Sequence, residues 1–388
     1  MRTAVLFPGQ GFQRAHLGKD LYRSHQACRD VYDEAAAELG YDLIAAGERL
    51  GVLSARHDIV QPLLVAYGLA AWAAAAKCGV EPCVMAGHSL GEITALAAAG
   101  ALSTTDAVRL ARLRGTWMSE CPDGDAWLVF GPSGDQVREA CDNSPSGEVW
   151  LANRNMPDQS VVSGTAAGLE AVREPLQAIG ATVKALGIGT PVHCPLGTYA
   201  ADRMVQAAAD TPVTAPLVPV LSTLTGERLD TADQVRGNLS ATLTSCVDWV
   251  AVTSGVRAVH PDLVLECGPK TVLRDLTRSM WPGVQAYAVT DPDGVALLAG
   301  KPGCASVRDY TLRAMRLVIG TPCLDQSPEQ RRRTKAAYTQ LRDLLDSLDD
   351  DPSGTGAGTD RVDRLLREAL LAKGLGESEV ARVTGGAL

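Results

Sequence analysis

Pro82-Cys83-Val84-Met85-Ala86-Gly87-His88-Ser89-Leu90-Gly91-Glu92-Ile93-Thr94-Ala95-Leu96-Ala97-Ala98-Ala99 is the stretch whose reading sets the fold. Pro82 to Ala86 is a short apolar run, Gly87 to Gly91 is a tight turn, and Ile93 to Ala99 is alanine-rich and reads as helix. Strand, turn and helix in that order are what a parallel α/β sheet requires. A serine between a buried strand and a helix sits on a strained elbow that lifts its hydroxyl out and aims helix amides at it. Ser89 is therefore a candidate nucleophile. A plain turn with a capping serine is the alternative, because Gly-x-Ser-x-Gly by itself recurs by chance in glycine-rich chains.

Working outward, Thr3 to Phe7 is another short β-type run, and it stops at the glycine turn Pro8-Gly9-Gln10-Gly11. Helical patterns follow to about Cys78. Beyond the elbow the elements shorten. Strand-like runs near Ala126 to Phe130, Val149 to Ala152, Ser160 to Ser163 and Thr182 to Leu186 alternate with helical ones near Asp135 to Cys141 and Leu169 to Ile179. Their β-α-β-β-α-β order is that of a ferredoxin-like unit. The larger pattern resumes from Leu217 to about Pro292, with strands near Val218 to Ser222 and Leu263 to Glu266.

The expected architecture is an α/β-hydrolase-like large subdomain with a parallel sheet (1–125 and 199–292) and an inserted ferredoxin-like small subdomain (126–198). A helical C-terminal extension (293–350), a flexible linker (351–360) and a final helix (361–388) complete it. Ser327-Pro328-Glu329-Gln330 predicts the start of a long charged helix: serine cap, proline in the first turn, glutamine three residues on.

Composition excludes several classes. The most apolar run, Leu63 to Ala76, is shorter than a bilayer span and is bounded by Gln61-Pro62 and Lys77, so no membrane is expected. Met1-Arg2-Thr3 leads straight into a strand rather than a secretory signal, which points to the cytoplasm. Ten cysteines lie scattered without a CxxC pair or zinc spacing and read as reduced, mostly buried thiols. A net charge of −9 and an aromatic content of 4% argue against a nucleic-acid surface.

A serine hydroxyl needs a base to take its proton. His88 adjoins Ser89, but successive side chains at an elbow diverge. His193 lies in Thr190-Pro191-Val192-His193-Cys194-Pro195, in a loop able to return to the sheet edge. A structural histidine is the competing account of it.

Phe7-Pro8-Gly9-Gln10-Gly11, Gly87 to Glu92, Leu113-Arg114-Gly115 with Met118, Asn153 to Gly164, Pro191 to Leu196 and Glu266-Cys267-Gly268-Pro269 together resemble the malonyl-CoA:acyl-carrier-protein transacylase family and its polyketide-synthase acyltransferase relatives. The resemblance spans about residues 3 to 290. It implies a cytoplasmic enzyme with no permanently bound cofactor or metal. A coenzyme A thioester donates the acyl group, and the phosphopantetheine thiol of an acyl carrier protein accepts it.

The resemblance also implies roles. Ser89 attacks the thioester with His193 as general base, and the backbone N–H groups of Gln10 and Leu90 form the oxyanion hole. Arg114 grips a free carboxylate on the donor, with His88 lining the same pocket. Asn153 supports the site.

Departures from the family pattern bear on selectivity. Trp127 stands where relatives carry a smaller methionine and is expected to reshape the acyl pocket. Val192 precedes the histidine where phenylalanine or serine is usual. Asp248 replaces the glutamine or arginine usual at a site whose backbone carbonyl orients the histidine, its carboxylate either reaching His193 or facing outward at the surface, and Thr223 replaces a common asparagine.

Malonyl transfer in polyketide, hybrid or fatty-acid synthesis is the leading expectation. Transfer of an unusual acyl or aminoacyl group between carrier proteins, and an editing hydrolase, are the alternatives. An inactive docking scaffold is disfavoured by Gln10, Ser89 and His193 occurring together. Arg331-Arg332-Arg333 with Lys335 is either a dock for an acidic carrier protein or a solvated helix face. Oligomeric state is not legible in the sequence.

Overall fold

The computed structural model describes residues 2–11, 17–48, 56–290, 294, 315, 327–350, 357–376 and 380. The chain divides into two compact units, Met1–Gly294 and Val295–Leu388. Among the described residues the strands are β1 (Arg2–Phe7), β2 (Glu81–Gly87), β3 (Asp125–Phe130), β4 (Val149–Met156), β5 (Gln159–Gly164), β6 (Thr182–Ala185), β7 (Val220–Leu221), β8 (Val247–Asp248), β9 (Leu263–Glu266) and β10 (Ala286–Ala288).

The first unit holds two sheets. One is parallel throughout, in the order β10-β9-β1-β2-β7. Its central strand β1 is apolar from Ala4 to Phe7 and buried on both faces, as a parallel sheet covered by helices requires. Ligands of open α/β sheets bind beyond the carboxyl ends of such strands. Both Gln10, after β1, and Ser89, after β2, lie at that edge.

The second sheet runs β6-β3-β5-β4-β8. Its first four strands pair antiparallel, with the helices Gly134–Asp142 and Ala166–Ala178 as crossovers, which is the ferredoxin-like order expected. The sequence did not announce β8 or β10. Each is two or three residues long, too short for periodicity to register. β8 comes from the later part of the chain and pairs parallel with β4, Asn153 opposite Val247, so one strand ties the small sheet to the large subdomain.

His57–Lys77 is the one described helix long and apolar enough to cross a membrane, and most of it is buried inside the protein. It begins six residues before the apolar run read from the sequence and carries Pro62 within it. Among the described residues seven cysteines are free, four of them buried. Cys78 is disulfide-bonded, a departure from the reading of reduced thiols throughout.

In the second unit, Pro328–Asp350 starts as expected: the Ser327 hydroxyl accepts from the Gln330 N–H at 3.3 Å. The last helix is Ala357–Ala372, so it reaches one turn back into the stretch read as linker. Propagating a helix adds a bond for each residue ordered, which outweighs the modest cost of Gly358. Residues 351–356 of that linker lie outside the described residues. Leu341 packs with Val362, Leu365, Leu366 and Leu370 in the core of this unit.

Candidate active site

Close backbone contacts build the elbow. A Cβ on Gly91 would lie 2.0 Å from the Phe7 carbonyl oxygen, and one on Gly9 would lie 2.7 Å from the His88 carbonyl oxygen. The loop after β1 is therefore pressed against the turn after β2, which only glycine permits. Ser89 itself has φ +54°. A left-handed conformation costs a non-glycine residue about 1–2 kcal/mol, and here the surrounding contacts hold it.

His193 shares that unusual backbone, again with φ +54°. Its Nδ1–H donates to the Thr242 carbonyl oxygen at 2.5 Å, which leaves Nε2 as acceptor for the Ser89 hydroxyl at 2.7 Å. Burial, reinforced by the Arg114 charge, lowers the His193 pKa to about 3. The imidazole is thus neutral, with a free lone pair aimed at the serine.

Arg114, on the helix Thr104–Met118, is buried at 4% exposure. It donates to Gln61 Oε1 at 2.9 Å and to Ser89 Oγ at 3.2 Å. Burial lowers its pKa to about 10, so it remains a cation at neutral pH. Among the described residues no carboxylate lies within ion-pair distance of it. A guanidinium offers five N–H donors, and a buried cation beside the serine, reached by the Glu92 charge only from beyond ion-pair distance, favours an anionic guest.

Gln61 also donates to Gln10 Oε1 at 3.1 Å, and the Gln10 side-chain nitrogen lies 2.7 Å from His57 Nδ1. This chain of amides fixes the Gln10 loop. Among the described residues the backbone N–H groups of Gln10 and Leu90 donate to no other group outside regular helix or strand bonding. His88 Nε2 meets Asn155 Oδ1 at 3.0 Å, and its ring centroid lies 5.3 Å from that of Trp249. Burial lowers its pKa, so it too is neutral.

These residues surround a cavity of about 600 Å³. Of the residues singled out in the sequence, Gln10, His88, Ser89, Arg114, Asn153, Val192 and His193 line it.

Two expectations are corrected. Trp127 is absent from the cavity wall. It packs with Val162, Leu169 and Val172 on the helix side of the small sheet, with Arg173 4.2 Å above its ring. The neighbouring Leu128 and Val161 line the cavity instead. Strand side chains alternate between faces, so a one-residue difference exchanges core for pocket.

Asp248 does not orient His193. Its carboxylate pairs with Arg154 at 3.2 Å and caps the helix Trp249–Ala258 through the Ala251 N–H at 2.9 Å. The histidine is held by Thr242, which caps the C-terminus of the helix Ala232–Ala241. Carbonyls at a helix end have no intrahelical partner and a partial negative charge, which suits an imidazole N–H.

Thr223 has a use after all: its Oγ1 accepts from the Ser89 backbone N–H at 3.2 Å. Gln61 had a local signal, a lone amide in the apolar run Val60 to Leu64, whereas Thr242 had none.

A serine acylated and then discharged at the edge of a parallel sheet is the chemistry of the α/β acyltransferases. The chain belongs to the acyl transferase domain family, which matches residues 5–287. It is 32% identical to the malonyl CoA-acyl carrier protein transacylase of Escherichia coli K12 over 301 residues, 76% of this chain and 97% of that one. The solved structure of malonyl-CoA:acyl carrier protein transacylase from Xanthomonas oryzae is similar at TM-score 0.73 and 32% identity, over 78% of this chain and 99% of that one. A type II polyketide-synthase malonyl-transacylase in complex with its acyl carrier protein is similar at TM-score 0.74 and 30% identity, over 78% and 100%. The helices Pro328–Asp350 and Ala357–Ala372 lie beyond the matched span.

Proposed function

We propose that this chain transfers a malonyl-type acyl group from coenzyme A to the phosphopantetheine thiol of an acyl carrier protein through an acyl-Ser89 intermediate. The observation that carries this reading is the buried Arg114, without a carboxylate in ion-pair contact among the described residues, donating to the same hydroxyl that faces His193 Nε2. An acyl group with its own carboxylate supplies a counter-charge in direct contact and is thereby held with its thioester carbon at Ser89.

In the first half-reaction the Ser89 proton passes to His193 Nε2 as Oγ bonds to the thioester carbon. Charge collects on the former carbonyl oxygen, where the Gln10 and Leu90 amides donate. Each such donor contributes about 3–4 kcal/mol in comparable sites. The C–S bond then breaks, and His193 returns its proton to the departing coenzyme A thiolate. The second half-reaction repeats these steps with the carrier thiol as nucleophile, so the O–C bond to Ser89 breaks and the serine recovers its proton.

A donor carboxylate has a further effect. Because the Arg114 charge depresses His193 basicity, neutralising that charge strengthens the base once the substrate is bound. Intact-mass measurement after exposure to malonyl-CoA tests the proposal: a malonyl adduct is expected on wild type and not on Ser89→Ala. No adduct from malonyl-CoA, with an adduct from another acyl thioester, refutes the substrate class. Rapid release of free malonate without carrier protein refutes transfer in favour of hydrolysis.

A further inference from the structure

Glu92 is 1% exposed, three residues past the nucleophile, and its backbone N–H donates to the Ser89 carbonyl at 3.0 Å. Its side chain reaches two distant parts of the chain. Oε1 accepts from the Thr223 backbone N–H at 2.7 Å. Oε2 accepts from the Asn238 side-chain amide and faces the Thr242 hydroxyl at 3.2 Å. Asn238 in turn accepts from Ser222 Oγ at 2.6 Å, which closes the network.

The two threonines are the residues that hold the reacting pair. Thr223 Oγ1 accepts from the Ser89 N–H, and the Thr242 carbonyl accepts from His193 Nδ1. Resting on the acyl-serine reading above, we propose that Glu92 is the positioning residue of the pair: one buried carboxylate sets the backbone behind both Ser89 and His193.

Buried carboxylates are costly, and apolar side chains of similar volume would stabilise this position at least as well. What a fully bonded buried network adds is a single arrangement in place of several. Here that arrangement is the 2.7 Å approach of Ser89 Oγ to His193 Nε2, which depends on two loops far apart in sequence. Glu92 also accounts for Asn238, which does not line the Ser89 cavity yet is buried with both ends of its amide engaged. Burial raises the Glu92 pKa to about 7, while the donations it accepts from Thr223, Thr242 and Asn238 favour the carboxylate.

The test compares wild type, Glu92→Gln, Thr242→Val and the double variant. Ser89 acylation is timed by intact mass with malonyl-CoA and, separately, with phenylmethylsulfonyl fluoride. Malonyl-CoA binding is measured by calorimetry in the Ser89→Ala background, and folding by thermal melts.

Glu92→Gln is expected to slow acylation of folded protein about 10- to 100-fold while malonyl-CoA affinity stays within about threefold. Thr242→Val is expected to slow it about 5- to 20-fold, and the double variant to fall no more than about threefold below Glu92→Gln, because both act on one arrangement. Wild-type acylation in folded Glu92→Gln, or effects of the two substitutions that simply multiply, overturns the proposal. If Glu92→Gln does not fold, an unchanged rate in Thr242→Val overturns it.

The sulfonyl fluoride separates this idea from the substrate reading. Should wild type refuse malonyl-CoA, the malonyl assignment fails, while the Glu92 comparison is still read from sulfonylation rates.

Discussion

Arg114→Ala separates recognition of a carboxylate from activation of the serine. For a malonyl donor, the variant removes a buried charge-assisted pair. Breaking one side of such a pair costs about 3–5 kcal/mol, roughly two to three and a half powers of ten in kcat/KM. For an acetyl donor two smaller effects oppose each other. The donation to Ser89 Oγ at 3.2 Å is lost, worth about 1 kcal/mol, while His193 is released from the cation that depresses its basicity.

Acetyl loading should therefore change by less than about tenfold, and the malonyl-to-acetyl preference should fall by about a hundredfold. The assay is single-turnover loading of Ser89 from each thioester, followed by intact mass. A melting curve checks that Gln61, which loses its donor, has not destabilised the helix His57–Lys77. Equal losses for malonyl and acetyl would refute the carboxylate role and leave Arg114 as a serine-orienting residue.

Trp127→Met should lower stability by about 1–2 kcal/mol, through lost packing and the lost Arg173 contact, and leave acyl selectivity unchanged. Leu128→Phe, one residue on, should alter selectivity, and a selectivity change in the first variant alone would contradict the strand register. Asp248→Ala should cost about 1 kcal/mol in chemical denaturation from its lost cap and ion pair, with Ser89 loading at the wild-type rate. A large loss of loading would restore the link to His193.

Glu266 is buried, its Oε1 has no hydrogen-bond partner among the described residues, and burial raises its pKa to about 8 from 4.5. A raised folded-state pKa contributes stability below pH 4.5 that is lost as pH climbs through about 8, at up to about 1.4 kcal/mol per pH unit. Glu266→Gln should therefore flatten the decline of denaturation free energy between pH 5 and 8. A slope identical to wild type would show that the carboxyl ionises without cost.

Much of the site was legible because its chemistry is written in local sequence. Gly91 has to be glycine for the helix start to pass the Phe7 carbonyl, and that demand surfaces as the Gly-x-Ser-x-Gly spacing around Ser89. The ferredoxin-like unit was legible for a similar reason, since its strands and helices are long enough for hydrophobic periods of 2 and 3.6 to emerge. His193 stood out through its flanking prolines, which mark a loop held in a defined course.

What the amino-acid order supplied by itself was therefore a candidate nucleophile, its elbow, the class of sheet and a candidate base. Tertiary structure alone decided which groups stand behind them. Trp127 and Leu128 are equally plausible pocket residues until the sheet's two faces are assigned. Thr242, Thr223 and Glu92 lie up to 150 residues apart and carry no shared motif. Hydrogen bonds made by a helix-end carbonyl or a backbone N–H depend on where the chain runs rather than on side-chain identity, so no residue pattern records them.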